Sequence, residues 1–185
     1  MQDLLKQIFA DLRKHPGWHV CRGYGSFVTF NFGEPRLKDY GIRHRPKGRL
    51  PARFREVAVR GDWYLWIYCC AWAIWQDGKH TANSGSSNDE IDCACAFLEG
   101  QKIRGITIYP NTGETLFCFD LGGALLTWPM DNEIIEQWSL RCPDKKILQF
   151  RSDGTFAYSN VHSPPSEKDF EPINAKIVRV GTPPF

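Results

Sequence analysis

Residues 63–75 read WYLWIYCCAWAIW, an unbroken apolar run that stops at Gln76-Asp77-Gly78. Aromatic and β-branched side chains dominate it, which favours a strand over a helix. It is too apolar to keep one wet face throughout, so it reads as a central strand with a bend near Cys69-Cys70. At 13 residues it is also too short to span a membrane, which takes about 18 apolar residues.

Working outward, residues 26–32 alternate Phe27, Thr29 and Asn31 against Val28, Phe30 and Phe32, a period of two. Residues 91–98 and 103–109 flank Glu99-Gly100-Gln101-Lys102 and predict a hairpin, and Asn111-Thr112-Gly113 turns into a strand over 115–121. Gly122-Gly123 marks a kink before 124–128. Strands over 137–142, 147–150 and 155–158, with turns at Pro143-Asp144-Lys145-Lys146 and Ser152-Asp153-Gly154, complete a meander. One helix stands out at the start, where Leu4, Leu5, Ile8, Phe9 and Leu12 form a stripe and Pro16-Gly17 ends it. The expected fold is α+β, an N-terminal helix packed on a large, mostly antiparallel β-sheet or meander. Residues 1–160 are expected to form a single domain with a basic loop over 36–55 and a mobile polar loop over 81–90. Residues 161–185, rich in proline, are expected to wrap that domain with one edge strand over 173–180.

The 185 residues hold 23 Lys and Arg against 21 Asp and Glu, a net charge of +2, and 14% are aromatic, ample surface to drive folding and exclude disorder. Residues 1–17 lack the uninterrupted apolar core of a leader peptide. Seven cysteines, an odd number with one adjacent pair, fit reduced thiols and a cytoplasmic protein. Charge is unevenly spread: residues 36–60 hold nine basic and two acidic side chains, +7, which leaves the remainder at −5. Such a segment, with Tyr40 and Phe54 in it, suits an acidic protein partner or a phosphate backbone, unless acids such as Asp89, Glu90 and Asp92 pair with it.

No catalytic set emerges. His15, His19 and Cys21 sit close together, and Cys93 and Cys95 would share one face of a strand, but the spacing matches no zinc module. Five histidines and seven cysteines permit a Cys–His pair without any nucleophile signature. Asp89, Glu90 and Asp92 lack calcium-loop spacing, and Gly23-Tyr24-Gly25 lacks the third glycine of a phosphate loop. No cofactor or metal is expected. Seven tryptophans remain, and Trp63 and Trp75 have one parity along 63–75 while Trp66 and Trp72 have the other.

The segments Phe119-Asp120-Leu121-Gly122-Gly123, Gln137-Trp138-Ser139-Leu140 and Ser152-Asp153-Gly154-Thr155-Phe156 resemble a pattern in small uncharacterised bacterial β-rich proteins, some of them similar to immunity proteins of toxin systems. The resemblance covers residues 119–158 and implies a bacterial, non-catalytic binding domain. The leading expectation is an immunity or antitoxin-like factor that neutralises a partner protein. Arg43, Arg45, Lys47 and Arg49 would steer the partner in, and Trp63, Trp66, Trp72 and Trp75 would anchor it. The alternatives are a nucleic-acid-binding module using residues 36–60 and an enzyme with a Cys–His site.

Overall fold

A computed structural model describes residues 2–44, 53–163 and 165–182. The amphipathic stripe at the N-terminus forms α1 (Gln2–Leu12), which buries Leu5, Ile8, Phe9 and Leu12. There follow β1 (Gly17–Arg22), β2 (Val28–Phe32), β3 (Arg36–His44), β4 (Arg53–Arg60), β5 (Trp63–Ile67), β6 (Ala71–Gln76) and β7 (Lys79–Asn83). After α2 (Asn88–Leu98) come β8 (Ile103–Tyr109), β9 (Glu114–Phe119), β10 (Gly123–Trp128), β11 (Glu136–Arg141), β12 (Lys146–Arg151) and β13 (Thr155–Asn160). A short 3-10 turn (Glu167–Asp169), β14 (Glu171–Pro172) and β15 (Val178–Gly181) end the described chain.

The fold is mostly β, with antiparallel pairing throughout the described residues. One large sheet was expected; two are present. The first runs β1-β2-β5-β11-β12-β13-β14, the second β15-β8-β9-β10-β6-β7, and β3-β4 forms a separate ribbon. Register explains how the two large sheets seal. Val28, Ile67, Trp138, Phe150 and Phe156 lie in one cross-strand row of the first sheet. Ile106, Phe117, Leu125 and Ile74 form the matching row of the second. The rows meet between the sheets: Phe117 packs edge-on to Trp138 with centroids 5.9 Å apart, and Phe30 stacks on Phe119 at 5.8 Å. Phe9 of α1 joins at 6.1 Å from Trp138, so the helix fills part of the same core.

The apolar run at 63–75 is two strands, not one. Cys69 takes a positive φ of 49°, Tyr68 N donates to Gln137 O, and the chain passes from β5 in the first sheet to β6 in the second. Both halves bury inward-facing residues, and their sum reads as one continuous stretch. Residues 91–98 are helix α2 rather than a strand, so Cys93 is exposed and Cys95 buried instead of sharing a face. The segment expected as a mobile loop, 81–90, holds the end of β7 and the first turn of α2. The basic stretch 36–55 is largely β3 and the start of β4, not loop, although residues 45–52 lie outside the described residues. At the C-terminus, β14 and β15 add an edge to each large sheet.

One topological detail sets up the function. Phe32 pairs directly with Trp63 across β2 and β5, a register that a short turn could close. Residues 33–62 are inserted there instead, and they carry the ribbon β3-β4. The junction is built tightly. Asn31 Oδ1 accepts from Gly61 N at 3.0 Å, Trp18 Nε1 donates to Gly33 O at 2.9 Å, and a Cβ on Gly61 would collide with the Phe32 carbonyl.

Candidate binding surfaces

The ribbon β3-β4, hereafter the arm, has one face that stands exposed among the described residues. Register places Leu37 opposite Val59, Asp39 opposite Val57 and, past an irregularity, Ile42 opposite Arg55. Leu37, Ile42, Val57 and Val59 are 71%, 51%, 51% and 46% exposed. Four aliphatic side chains in water on a two-stranded ribbon run against the usual economy of an edge, which is kept charged and apolar-poor. The same face carries Arg53 and Arg55, and the other carries Arg36, Lys38, Arg43 and Arg60. Arg55 reaches Asp39 at 2.9 Å and Arg43 reaches Glu56 at 2.8 Å. The Gly41 amide, then Arg55, hold the Asp39 carboxyl below its ordinary range. Arg60 lies over the Tyr64 ring at 4.8 Å, and Arg36 pairs with Asp62 at the root.

Of the residues expected to bind a partner, Arg43 is on the arm, exposed. Arg45, Lys47 and Arg49 lie outside the described residues. The four tryptophans do not converge. Trp63 and Trp72 are core residues, 7% and 1% exposed, and Trp72 Nε1 is satisfied by Ser26 O at 2.7 Å. They are thereby removed from any docking surface. Trp66 lies on the outer face of the first sheet with Phe27 and Tyr68, its ring 4.3 Å from that of Tyr68. The Tyr68 hydroxyl donates to Glu136, and burial first, then that carboxylate, push its ionisation well above the ordinary range. Trp75 alone lies on the outer face of the second sheet.

That outer face is a groove of about 760 Å3, and side-chain size explains it. Along one cross-strand row stand Gly105, Cys118, Ala124 and Trp75; along the next stand Thr107, Leu116, Leu126 and Ala73. Small residues in mid-sheet and large ones toward its sides leave a trough with an aliphatic floor. Trp75 and Tyr109 wall it, and beyond Leu126 it continues toward Trp128, His80 and Asn83. Asp77, Glu114 and Asp120 line it against Arg104. Among the described residues none of those three carboxylates is in an ion pair. The sequence reading missed this groove, yet a signal existed: the alternation of 123–128 places Ala124, Leu126 and Trp128 on one face, and nothing assigned that face to the core.

The thiol nearest the groove, Cys118, is 1% exposed and burial pushes its pKa up to about 11, which leaves it a protonated, inert hydrophobe at neutral pH. Of the acids at 89–92, whose spacing does not suit a calcium loop, Glu90 caps α2 and Asp92 pairs with Arg22 at 3.2 Å. Among the described residues no three ligating side chains gather to hold a metal, and no helix is long and apolar enough to cross a membrane. Compared with protein-family models, curated proteins and solved structures, the chain matches none.

Proposed function

We propose that this chain is a non-catalytic protein-binding domain that holds an acidic partner protein against its arm. The form of that function favoured by the resemblance over 119–158 is neutralisation of the partner, as an immunity or antitoxin-like factor of a bacterial cytoplasm does it. One observation carries the reading: Leu37, Ile42, Val57 and Val59 stand exposed on a single face of an inserted ribbon that also bears Arg53 and Arg55. Cations speed encounter with an acidic surface, and the apolar face then gains by leaving water. The sequence-based anchors Trp63 and Trp72 have no part in this version, because the core holds them.

The same face argues for protein over nucleic acid. Tracking phosphates takes cations free to release counterions. Here Arg43 and Arg55 are engaged by the arm's own carboxylates, one on each face, and the exposed face that carries Arg55 is largely aliphatic. A tagged protein recovered from its host tests the reading. One stoichiometric protein, retained through nuclease treatment and lost with the double variant Val57→Asp/Val59→Asp, is expected. Capture that collapses under nuclease, or that ignores the variant, would overturn it.

A further inference from the structure

We propose that the arm also has an occupant within the species itself: the outer-face groove of a second copy, so that two chains exchange arms reciprocally. This rests on reading the arm as a protein-docking element. The two surfaces are complementary. The arm offers Leu37, Ile42, Val57 and Val59 with Arg53 and with Arg55, which its own Asp39 partly neutralises; the groove offers Leu116, Leu126 and Ala124 with Glu114, Asp77 and Asp120. Apolar faces apolar, and cations face carboxylates that no basic side chain holds among the described residues. Both elements are unpartnered β-surfaces, so a ribbon laid face to face on the second sheet is ordinary layer packing at about 10 Å spacing.

Placement favours reciprocity. At the arm's root Trp18 Nε1 holds Gly33 O, while Gly17 N donates to Gln101 O at 2.8 Å. Gln101 Oε1 in turn accepts from Leu121 N and Gly123 N at the end of the groove, at 3.3 and 3.2 Å. Arm and groove mouth thus share one end of the molecule, and a two-fold axis at that end can satisfy both contacts at once. Size is consistent as well. A ribbon whose shorter strand has eight residues covers roughly 26 by 10 Å. Two such contacts, counting both surfaces of each, bury on the order of 1,000 Å2, the lower limit for a specific interface. The dimer is therefore concentration-dependent.

Light scattering and sedimentation of the full chain, over the wide range from about 1 to about 500 μM, decide it, because area alone does not fix affinity. Twice the mass of one chain at the upper end is expected. Val57→Asp/Val59→Asp on the arm and Ala124→Arg/Leu126→Asp in the groove should each raise the dissociation constant at least about a hundredfold. Glu114→Arg, which reverses a lining charge and gives up one exposed hydrogen bond from Thr112, should raise it about tenfold and covers the case in which the groove double variant fails to fold. Trp66→Ala, on the opposite outer face, should leave it unchanged. Monomer at every concentration overturns the proposal. So does sensitivity to the arm variant alone, which means arm against arm, or sensitivity to Trp66→Ala. A monomer that still captures a partner through Val57 and Val59 defeats this inference and leaves the proposed function standing; a dimer that captures nothing does the reverse.

Discussion

Trp138 shows how one side chain couples the layers of this molecule. It is fully buried, stacks on Phe150 at 5.2 Å, meets Phe117 of the opposite sheet and Phe9 of α1, and donates from Nε1 to Thr115 Oγ1 at 3.0 Å. Trp138→Ala opens a cavity where three elements meet and should cost about 3–5 kcal/mol. Trp138→Phe keeps most of the area but unpairs a buried hydroxyl, for about 1–3 kcal/mol. Urea unfolding orders the two, and a Trp138→Phe variant as stable as the parent would show that the hydrogen bond contributes nothing. The buried thiols give a second prediction. Burial pushes Cys70, Cys95 and Cys142 up to about 12 from an ordinary 9.0. Between those values the folded state binds protons that the unfolded chain has released. The thiols' stabilisation is therefore complete below about pH 8.5 and declines as pH rises toward 12, at up to about 1.4 kcal/mol per thiol per pH unit. Melting temperature should hold through neutral pH and fall above about pH 9. Cys95→Ala/Cys142→Ala should fall less steeply, and parallel curves would refute the assignment.

Among the elements, α2 is the helix that reads as a strand in the sequence, although its start carries a helix signal. Ser87 and Glu90 form a capping box: Ser87 Oγ accepts from Glu90 N at 3.4 Å, and Glu90 Oε2 accepts from Ser87 N at 2.8 Å. The Ser87 amide and then the Ser87 hydroxyl, each donating to Glu90 Oε2 at 2.8 Å, hold the Glu90 carboxyl below its ordinary range. Ser87→Ala removes the cap and should cost about 1 kcal/mol, measurable as a drop in melting temperature and as faster amide exchange in the first turn of α2. The signature Ser87-Asn88-Asp89-Glu90 was legible in the sequence. The alternation of Ile91, Cys93 and Cys95 with Asp92 and Ala94 masked it, because a short apolar segment fits periods of two and 3.6 alike. By contrast, α1 and the strands from Ile103 to Asn160 were legible, since each turn carries Gly, Pro or Asn where a reversal needs it. At Cys69-Cys70 the bend was legible but the change of sheet was not: φ is positive at a residue whose side chain gives no sign of it, and the two sheets it joins have equally apolar inner faces. The groove escaped for a related reason. A face of Ala124, Leu126 and Trp75 reads as core until the opposite face is known to be the inner one.

For the molecule as a whole, the arm is an insertion that the body does not need. Phe32 and Trp63 are already partners in adjacent antiparallel strands, and the arm forms its own two-stranded sheet, separate from the two that enclose the core. Replacing residues 33–62 by Asn-Gly would close β2 onto β5 with a two-residue turn, a sequence suited to the positive φ values such a turn demands. Shortening a 30-residue connection also lowers the entropy of closing it, by about 2 kcal/mol at most, and this offsets the loss of the Arg36–Asp62 and Trp18–Gly33 contacts. The shortened chain should therefore unfold cooperatively, with a stability within about 1–2 kcal/mol of the parent. Its charge would change sign, because residues 33–62 hold nine basic and four acidic side chains and their removal takes the net charge from +2 to −3. Thermal and urea unfolding, together with the near-ultraviolet signature of the buried tryptophans, test the first half of that statement. Loss of partner capture and of self-association tests the second. A shortened chain that fails to fold would make the arm a structural element, and its exposed aliphatic face would then need another explanation.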